Sequence, residues 1–253
     1  MFIQKFIKII IITLCLVYVS GVNKVYCQEP QLQYYNDPPG KQEINLFGIY
    51  SKKEITSVGV ISPDKSIMAY SVVYFFPNAY QYTSKVFIVK NQPQIKITDK
   101  ISKSILDVGF DSLDRETFRT LTIVDWSGDS KKLLIKEKVG GYSKGIWTTN
   151  LWIYNVDTGK TQKLGNIKKA VVYYWKSKQK VSLPDLRWDI IPLGWDLSNP
   201  DMIIVNTYGY SHSEKQFLGC WGIDITTGNS ELLSFVNETV PVAKNGFIFK
   251  PAK

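Results

Sequence analysis

Runs in which apolar and polar residues alternate, cut at intervals by short Asp, Gly, Ser and Asn clusters, recur three times along this 253-residue chain. The clearest run is Thr120 to Leu164, TLTIVDWSGDSKKLLIKEKVGGYSKGIWTTNLWIYNVDTGKTQKL. It predicts a strand closing at Trp126, a turn over Ser127 to Ser130, and a second strand from Leu133 to Val139. After a longer loop come a third strand over Asn150 to Val156, an Asp157-Thr158-Gly159 turn, and a fourth strand over Thr161 to Leu164. Asp suits such turns because its side chain bonds nearby backbone, and Gly because it accepts positive φ.

Two further copies share this plan. Ser57 to Thr98 precedes it, and Ile190 to Leu233 follows it. Val86, Leu151 and Cys220 open equivalent third strands at offsets of 65 and 69 residues, and Trp126 and Trp195, 69 apart, close equivalent first strands. Repeats of this length, each a four-strand unit, are the pattern of β-propeller blades. Three blades close a ring poorly, and the chain ends offer a fourth. Asn45 to Tyr50 with Lys53 to Thr56 matches a third and fourth strand, while Pro241 to Phe249, with Asn245-Gly246 as the turn, matches a first-to-second-strand hairpin. The expectation is therefore all-β: a closed propeller of about four blades over residues 44–253, with one blade shared by the two termini, which removes exposed sheet edges. An open three-blade array completed by a second chain is the competing arrangement, and the oligomeric state stays open.

The turn residues also carry a resemblance. Ser62-Pro63-Asp64-Lys65 before Ile67-Met68-Ala69-Tyr70 resembles the S-P-D-G-x-I-A-(F/Y) signature of TolB-type propeller repeats. Such repeats are also found in the N-terminal propellers of prolyl oligopeptidase and dipeptidyl peptidase relatives. Trp126-Ser127-Gly128-Asp129 with Leu151 to Gly159 is closer still, while the third copy departs at Trp195 to Asp201. The resemblance spans roughly residues 44–250, marks turns and strands, and implies a binding scaffold.

The first residues read differently. Lys5 and Lys8 precede an eleven-residue apolar run, Ile9 to Val19. A spanning helix needs about 20 apolar residues, so this run is short for an anchor and fits a secretory signal over residues 1–27. Residues 28–43 form a lead segment. Export to a periplasmic or extracellular location, with no membrane anchor after cleavage, follows from that reading. With the signal gone, Cys220 is the one cysteine left, so no internal disulfide is expected. The net charge falls from +9 to +6, with 28 basic against 22 acidic residues, a surplus that favours attraction to anionic envelope polymers. Nothing in it suggests nucleic acid.

The turns between strands one and two, and between strands three and four, share one end of each unit and are short. The extra length lies at the opposite end, in Phe75 to Tyr82, Gly140 to Thr149 and Tyr208 to Phe217. Ile167, Ala170, Val171, Tyr174 and Trp175 follow helical spacing after Asn166, a suitable cap, and predict a helix near 167–178 across that end. Tyr and Ser together make adaptable contact surfaces. Tyr80, Tyr82, Tyr142, Ser143, Trp147, Trp175, Tyr210 and His212 are the candidate binding residues, for a protein partner or an envelope polymer. Alternatively, the rings only cap the blades.

Catalytic patterns are thin. Gly141-Tyr142-Ser143-Lys144-Gly145 matches G-x-S-x-G, but a nucleophile elbow turns from strand into helix and here a strand resumes. His212 is the single histidine, and a triad needs a carboxylate behind it. One histidine and one mature cysteine make no usual zinc set, and Asp107, Asp111 and Asp114 lack EF-hand spacing. No phosphate-binding Gly-rich loop is present. Asp189, Asp196 and Glu214 are available as a carboxylate pair for glycoside chemistry, though no local pattern distinguishes them. The expectation is a protein with no cofactor, no metal and no catalytic activity; a hydrolase using Ser143 or a carboxylate pair is the alternative.

Overall fold

The computed structural model describes residues 54–76, 81–91, 102–109, 117–141, 146–165, 167–183, 188–211, 214–236 and 240–248. The expected signal peptide and lead segment lie outside these residues, as do Asn45 to Tyr50. What is described is all-β with one helix.

Three antiparallel meanders follow one another in the chain. In the first, β1 (Glu54–Thr56) and β2 (Val60–Ile61) pair with β3 (Ile67–Phe76), which pairs with β4 (Gln81–Lys90) and that with β5 (Lys103–Val108). The second comprises β6 (Thr117–Trp126), β7 (Lys132–Gly141), β8 (Ile146–Asn155) and β9 (Lys160–Lys163). The third comprises β10 (Trp188–Asp196), β11 (Met202–Ser211), β12 (Glu214–Asp224) and β13 (Ser230–Ser234). Helix α1 (Ile167–Lys178) links the second to the third, at the bounds its spacing predicts. Two short strands, β14 (Val242–Ala243) and β15 (Phe247–Ile248), come last.

The second meander is apolar on both sides because it is packed on both sides. Leu121, Ile123, Leu133, Ile135 and Tyr154 join Val60, Ala69, Val86 and Leu106 of the first meander in one core. Val124, Leu134, Leu151 and Ile153, the alternate positions, join Trp188, Ile190, Ile203, Val205 and Trp221 of the third, with Ile167 and Val171 of α1. Successive side chains in a strand point to opposite faces, so a doubly covered strand reads as a continuous apolar run such as Leu133-Leu134-Ile135.

The predicted turns recur with the same bonds. In the first, the Ser62 N–H donates to the Ile67 carbonyl, the Lys65 N–H donates to the Ser62 carbonyl, and the Asp64 carboxylate accepts from the Ser66 N–H. In the second, Ser127, Ser130 and Asp129 repeat the set with Lys132 and Lys131. Lys65 and Ser130 hold the left-handed position, at φ 61° and 63°. The two turns also touch, since the Asp64 N–H donates to Ser130 Oγ at 3.0 Å. Lys132 Nζ reaches Asp201 Oδ1 in the third turn at 2.8 Å. The Ser62 hydroxyl, with the N–H and hydroxyl of Ser66, holds the Asp64 carboxyl down at about 2.

The C-terminal segment departs from the expected hairpin. β14 pairs with β10, and β15 pairs with β2; among the described residues the two do not pair with each other. Between them, the Asn245 and Gly246 N–H groups donate to the two oxygens of Asp125, at 2.9 and 2.8 Å, and Asn245 Nδ2 donates to the Trp126 carbonyl. One short segment thus runs from the first strand of the third meander, past that of the second, to that of the first. Close approach explains two glycines. A Cβ on Gly246 would lie 2.7 Å from Val60 Cγ1, and one on Gly194, already at φ 138°, would lie 3.1 Å from the Ala243 carbonyl oxygen. Trp126 adds a bond from Nε1 to the Val60 carbonyl at 3.0 Å, whereas Nε1 of its repeat equivalent Trp195 has no partner among the described residues.

Three expectations are corrected here. Glu54 to Thr56 belongs to the first meander, in register with Tyr74 to Val72, and is not the last strand of a fourth blade. The fourth strand of the first meander is Lys103–Val108, beyond the end of the expected Ser57 to Thr98 copy; its alternation buries Leu106 and Val108 and exposes Lys103 and Asp107. Residues 92–98 of that copy lie outside the described residues. Ladders among the described residues form one sheet of ten strands and one of five, with no ladder joining them into a ring, and a single parallel bridge, Tyr82 to Phe118, connects the first two meanders.

Replacing Asp125 by Ala leaves the N–H groups of Trp126, Asn245 and Gly246 without their acceptor, and denaturant unfolding should report a loss of about 2–4 kcal/mol. A loss of a few tenths would show that the crossing segment is held by strand pairing alone. Asp64 carries the opposite side of the charge balance. Its carboxyl lies below the ordinary 3.8 in the folded chain, so its contribution is present above pH 4 and is lost as pH falls through about 2. The stability gap between the native chain and Asp64→Asn should therefore close as pH is lowered across that window. Thermal melts taken at several pH values measure it.

Candidate binding site

Away from the Ser-x-Asp turns, the long hairpins end at Phe76 and Gln81, Gly141 and Ile146, and Ser211 and Glu214. Aromatic residues collect at this end. Phe75 and Tyr82, opposed across β3 and β4 with ring centroids 4.7 Å apart, pack with Val73 and Phe118, and Trp147 of β8 closes over this cluster. Cross-strand neighbours of this kind are the basic stabilising unit of a sheet.

Trp147 also faces the third meander. Its Nε1 donates to Asp189 Oδ1 at 2.6 Å, and the Tyr210 hydroxyl donates to Asp189 Oδ2 at the same distance. Register accounts for the second bond. Asp189 of β10 lies opposite Tyr208 of β11, so Tyr210, two residues further, projects to the same side. A half-buried carboxylate is thus held by one donor from the second meander and one from its own. Bonds of neutral donors to an ionised acceptor are short and comparatively strong. Among the described residues no other donor reaches these oxygens, so each keeps a further lone pair.

Ammonium groups sit over the same rings. Lys138 Nζ lies 4.5 Å from the Trp147 ring centre, Lys215 Nζ 3.9 Å from that of Tyr208, and Lys168 Nζ 5.3 Å from that of Trp188. Tyr208 packs on Phe217 at 5.4 Å. This end offers flat apolar rings, one tethered carboxylate and several cations, a mixture able to grip a polar surface carrying hydroxyls or negative charge.

A second carboxylate, Glu137, has a different fate. It is fully buried in the second meander, with Oε1 accepting from Arg119 Nε and Nη2 at 3.0 and 2.7 Å. Its Oε2 accepts from Asn150 Nδ2 and Trp152 Nε1 at 3.0 and 2.8 Å. Four donors exhaust its acceptor capacity, so Glu137 binds its own sheet together. Burial pushes the Cys220 thiol up to about 11, which keeps it protonated and unreactive at neutral pH.

Among the residues singled out by sequence, Tyr82, Trp147 and Tyr210 come together here, linked through Phe75 and Asp189. Tyr80, Tyr142, Ser143 and His212 lie outside the described residues, as do Asp111 and Asp114. Trp175 stands apart from them: its Nε1 donates to the Leu218 carbonyl at 3.1 Å and its ring packs on Phe235, because the face of α1 that carries it is the face turned to the core. Asp196 is separated from Asp189 by the length of β10 and accepts the N–H groups of Ser198 and Asn199 in the turn at the other end, so those two make no pair. Asp107 is paired with Lys85 at 2.8 Å.

No protein-family model matches the sequence, and no curated protein matches it either. Among solved structures, the chain is similar to one titled AtxE2 isopeptidase in its apo form, at 10% identity and a TM-score of 0.42, over 72% of this chain and 31% of that one. The chain spans less than a third of that protein's length. That title names an enzyme, contrary to the expectation of a protein without catalytic activity, and the activity it names is said of that protein alone.

A double-mutant cycle between Asp189→Asn and Tyr210→Phe should give a coupling of about 1–2 kcal/mol in unfolding free energy, the range for a partly buried charge-assisted bond. Additive single effects would mean that the tether contributes nothing to the fold.

Proposed function

We propose that this chain is an exported binding module, a small TolB-like β-propeller that engages a protein partner or an envelope polymer through the end carrying Trp147, Asp189 and Tyr210. The observation that carries the reading is the Asp189 clamp. Residues from two meanders converge on one half-buried carboxylate, amid rings and lysines, at the end where the hairpins are open to elaboration. A site assembled from neighbouring repeats is how repeat scaffolds present binding surfaces.

Two apolar flanks support the propeller arrangement. Met68, Tyr70, Val72 and Val89 form a cluster on the side of the first meander that faces away from the second. On the third meander, Ile204 is fully buried although it alternates with Ile203 and Val205 of the shared core, and Cys220 beside it is buried too. Flanks of this kind call for a further layer, and a fourth blade between the first and third meanders supplies it. Residues 1–27 direct export.

The reading is tested with a photo-crosslinking residue placed in the full chain at exposed Gln216, and in a second sample at Lys131 in the opposite turns. Expected is a discrete adduct from position 216, absent from position 131, and lost when Trp147→Phe and Tyr210→Phe are combined. Adducts of equal yield from both ends, or an adduct indifferent to the double variant, would overturn the assignment of the site.

A further inference from the structure

Helix α1 has a second side. Ile167 and Val171 are buried and Val172, Tyr174 and Trp175 pack against the same core, which leaves Lys169, Tyr173, Lys176 and Lys178 exposed to solvent. Lys169, Tyr173 and Lys176 stand four and three residues apart, so they form one stripe along the outer face. Tyr173 is 74% exposed, an unusual degree for a tyrosine in the middle of a packed helix. Beside the helix, Phe235 lies against the rings of Tyr174 and Trp175 yet stays 43% exposed, and Val236 is 57% exposed.

Charge along the helix has one sign. Between Asp157 and Asp185 the chain has seven lysines and no carboxylate. Lys168 is turned inward over Trp188, and Lys180 Nζ donates to the Ser177 carbonyl, where it caps the negative end of the helix. Lys176 and Lys178, both exposed, carry the charge at this end of the helix. On β13, which the helix touches, Glu231 is exposed but shares its side of the strand with Leu233, opposite Leu232, which packs on the core beneath the helix.

We propose that the outer face of α1, with Phe235 and Val236, is a peripheral docking surface for an anionic lipid bilayer. The partner must answer both features of the patch. Lysines alone would suit any polyanion, but a soluble polyanion gives no place to Tyr173, Phe235 and Val236. A bilayer does: phenol and indole rings sit at headgroup depth, short apolar side chains enter below them, and ammonium groups remain among the phosphates. No helix of the described residues is long and apolar enough to cross a membrane, so the contact is one of lying on the surface.

The test uses the full chain and sedimentation with vesicles of phosphatidylcholine alone or mixed with phosphatidylglycerol. Expected is binding to the mixed vesicles that weakens with added salt, and little binding to phosphatidylcholine. Each lysine near an anionic surface contributes about a fivefold gain in affinity. Lys176→Glu with Lys178→Glu should therefore weaken vesicle binding by about 25-fold or more while leaving the melting temperature unchanged. Tyr173→Ala should weaken binding to mixed vesicles several-fold without altering retention on a soluble polyanion such as polyglutamate. The proposal is overturned by equal binding to both vesicle types, by no binding to either, or by an affinity indifferent to the lysine reversals. Retention on polyglutamate without binding to vesicles would also overturn it, in favour of a polymer. Since Gln216 and Trp147 lie on other elements, crosslinking from position 216 reports on the other site independently.

Discussion

A single carboxylate organises the first strands of all three meanders. Asp125 is buried, and three backbone N–H groups, from Trp126, Asn245 and Gly246, converge on it. Burial pushes this carboxyl above the ordinary range, and the three donors pull the other way without cancelling that effect. What the site supplies is a fixed acceptor for those three donors. It fixes the Asn245-Gly246 turn at one place and angle, from which β14 can reach β10 on one side and β15 can reach β2 on the other. Remove the acceptor and both short strands, of two residues each, have too few bonds to define their own position.

Local signals in the chain agree with the structure where the structure is local. The Ser-x-Asp turns, the Asp-Thr-Gly and Thr-Thr-Gly turns with positive φ at Gly159 and Gly228, and the bounds of α1 all follow from a few adjacent residues. The errors fall where pairing is remote. Asn245-Gly246 is a strong hairpin sign, but its N–H groups are taken by a residue 120 positions earlier, which no local pattern announces. Glu54 to Thr56 alternates suitably for any sheet edge, and only its register with β3 assigns it. Trp175 lies apart from the other candidate rings for a different reason: the spacing that locates the helix also places this ring on its inner face, against Phe235 and the Leu218 carbonyl.

The binding end was half legible for the same reasons. Tyr82, Trp147 and Tyr210 announce themselves as rings near long loops. Asp189, the group that joins two of them, does not, because a lone aspartate early in a strand has no distinguishing neighbourhood in sequence. Its meaning comes from its register opposite Tyr208 and from the reach of Trp147 across from another sheet. Glu137 makes the complementary point. Placed in the middle of a strand and encircled by Arg119, Asn150 and Trp152, it has no acceptor capacity left, while Asp189 with two donors keeps some. Counting the donors on a carboxylate separates an acid that welds a sheet from one able to greet a visitor.

The long reach of Asp125 has a consequence for how the chain comes into being. Gly246 is synthesised 121 residues after the carboxylate that receives it. Until it emerges, β2 and β10 each lack their outer partner and the centre of the assembly has no tie. Contacts so distant in sequence also make folding slow, because closing the intervening loop costs entropy before any bond rewards it. A nascent chain of this design therefore lacks its one tie across all three meanders until the final crossing is delivered.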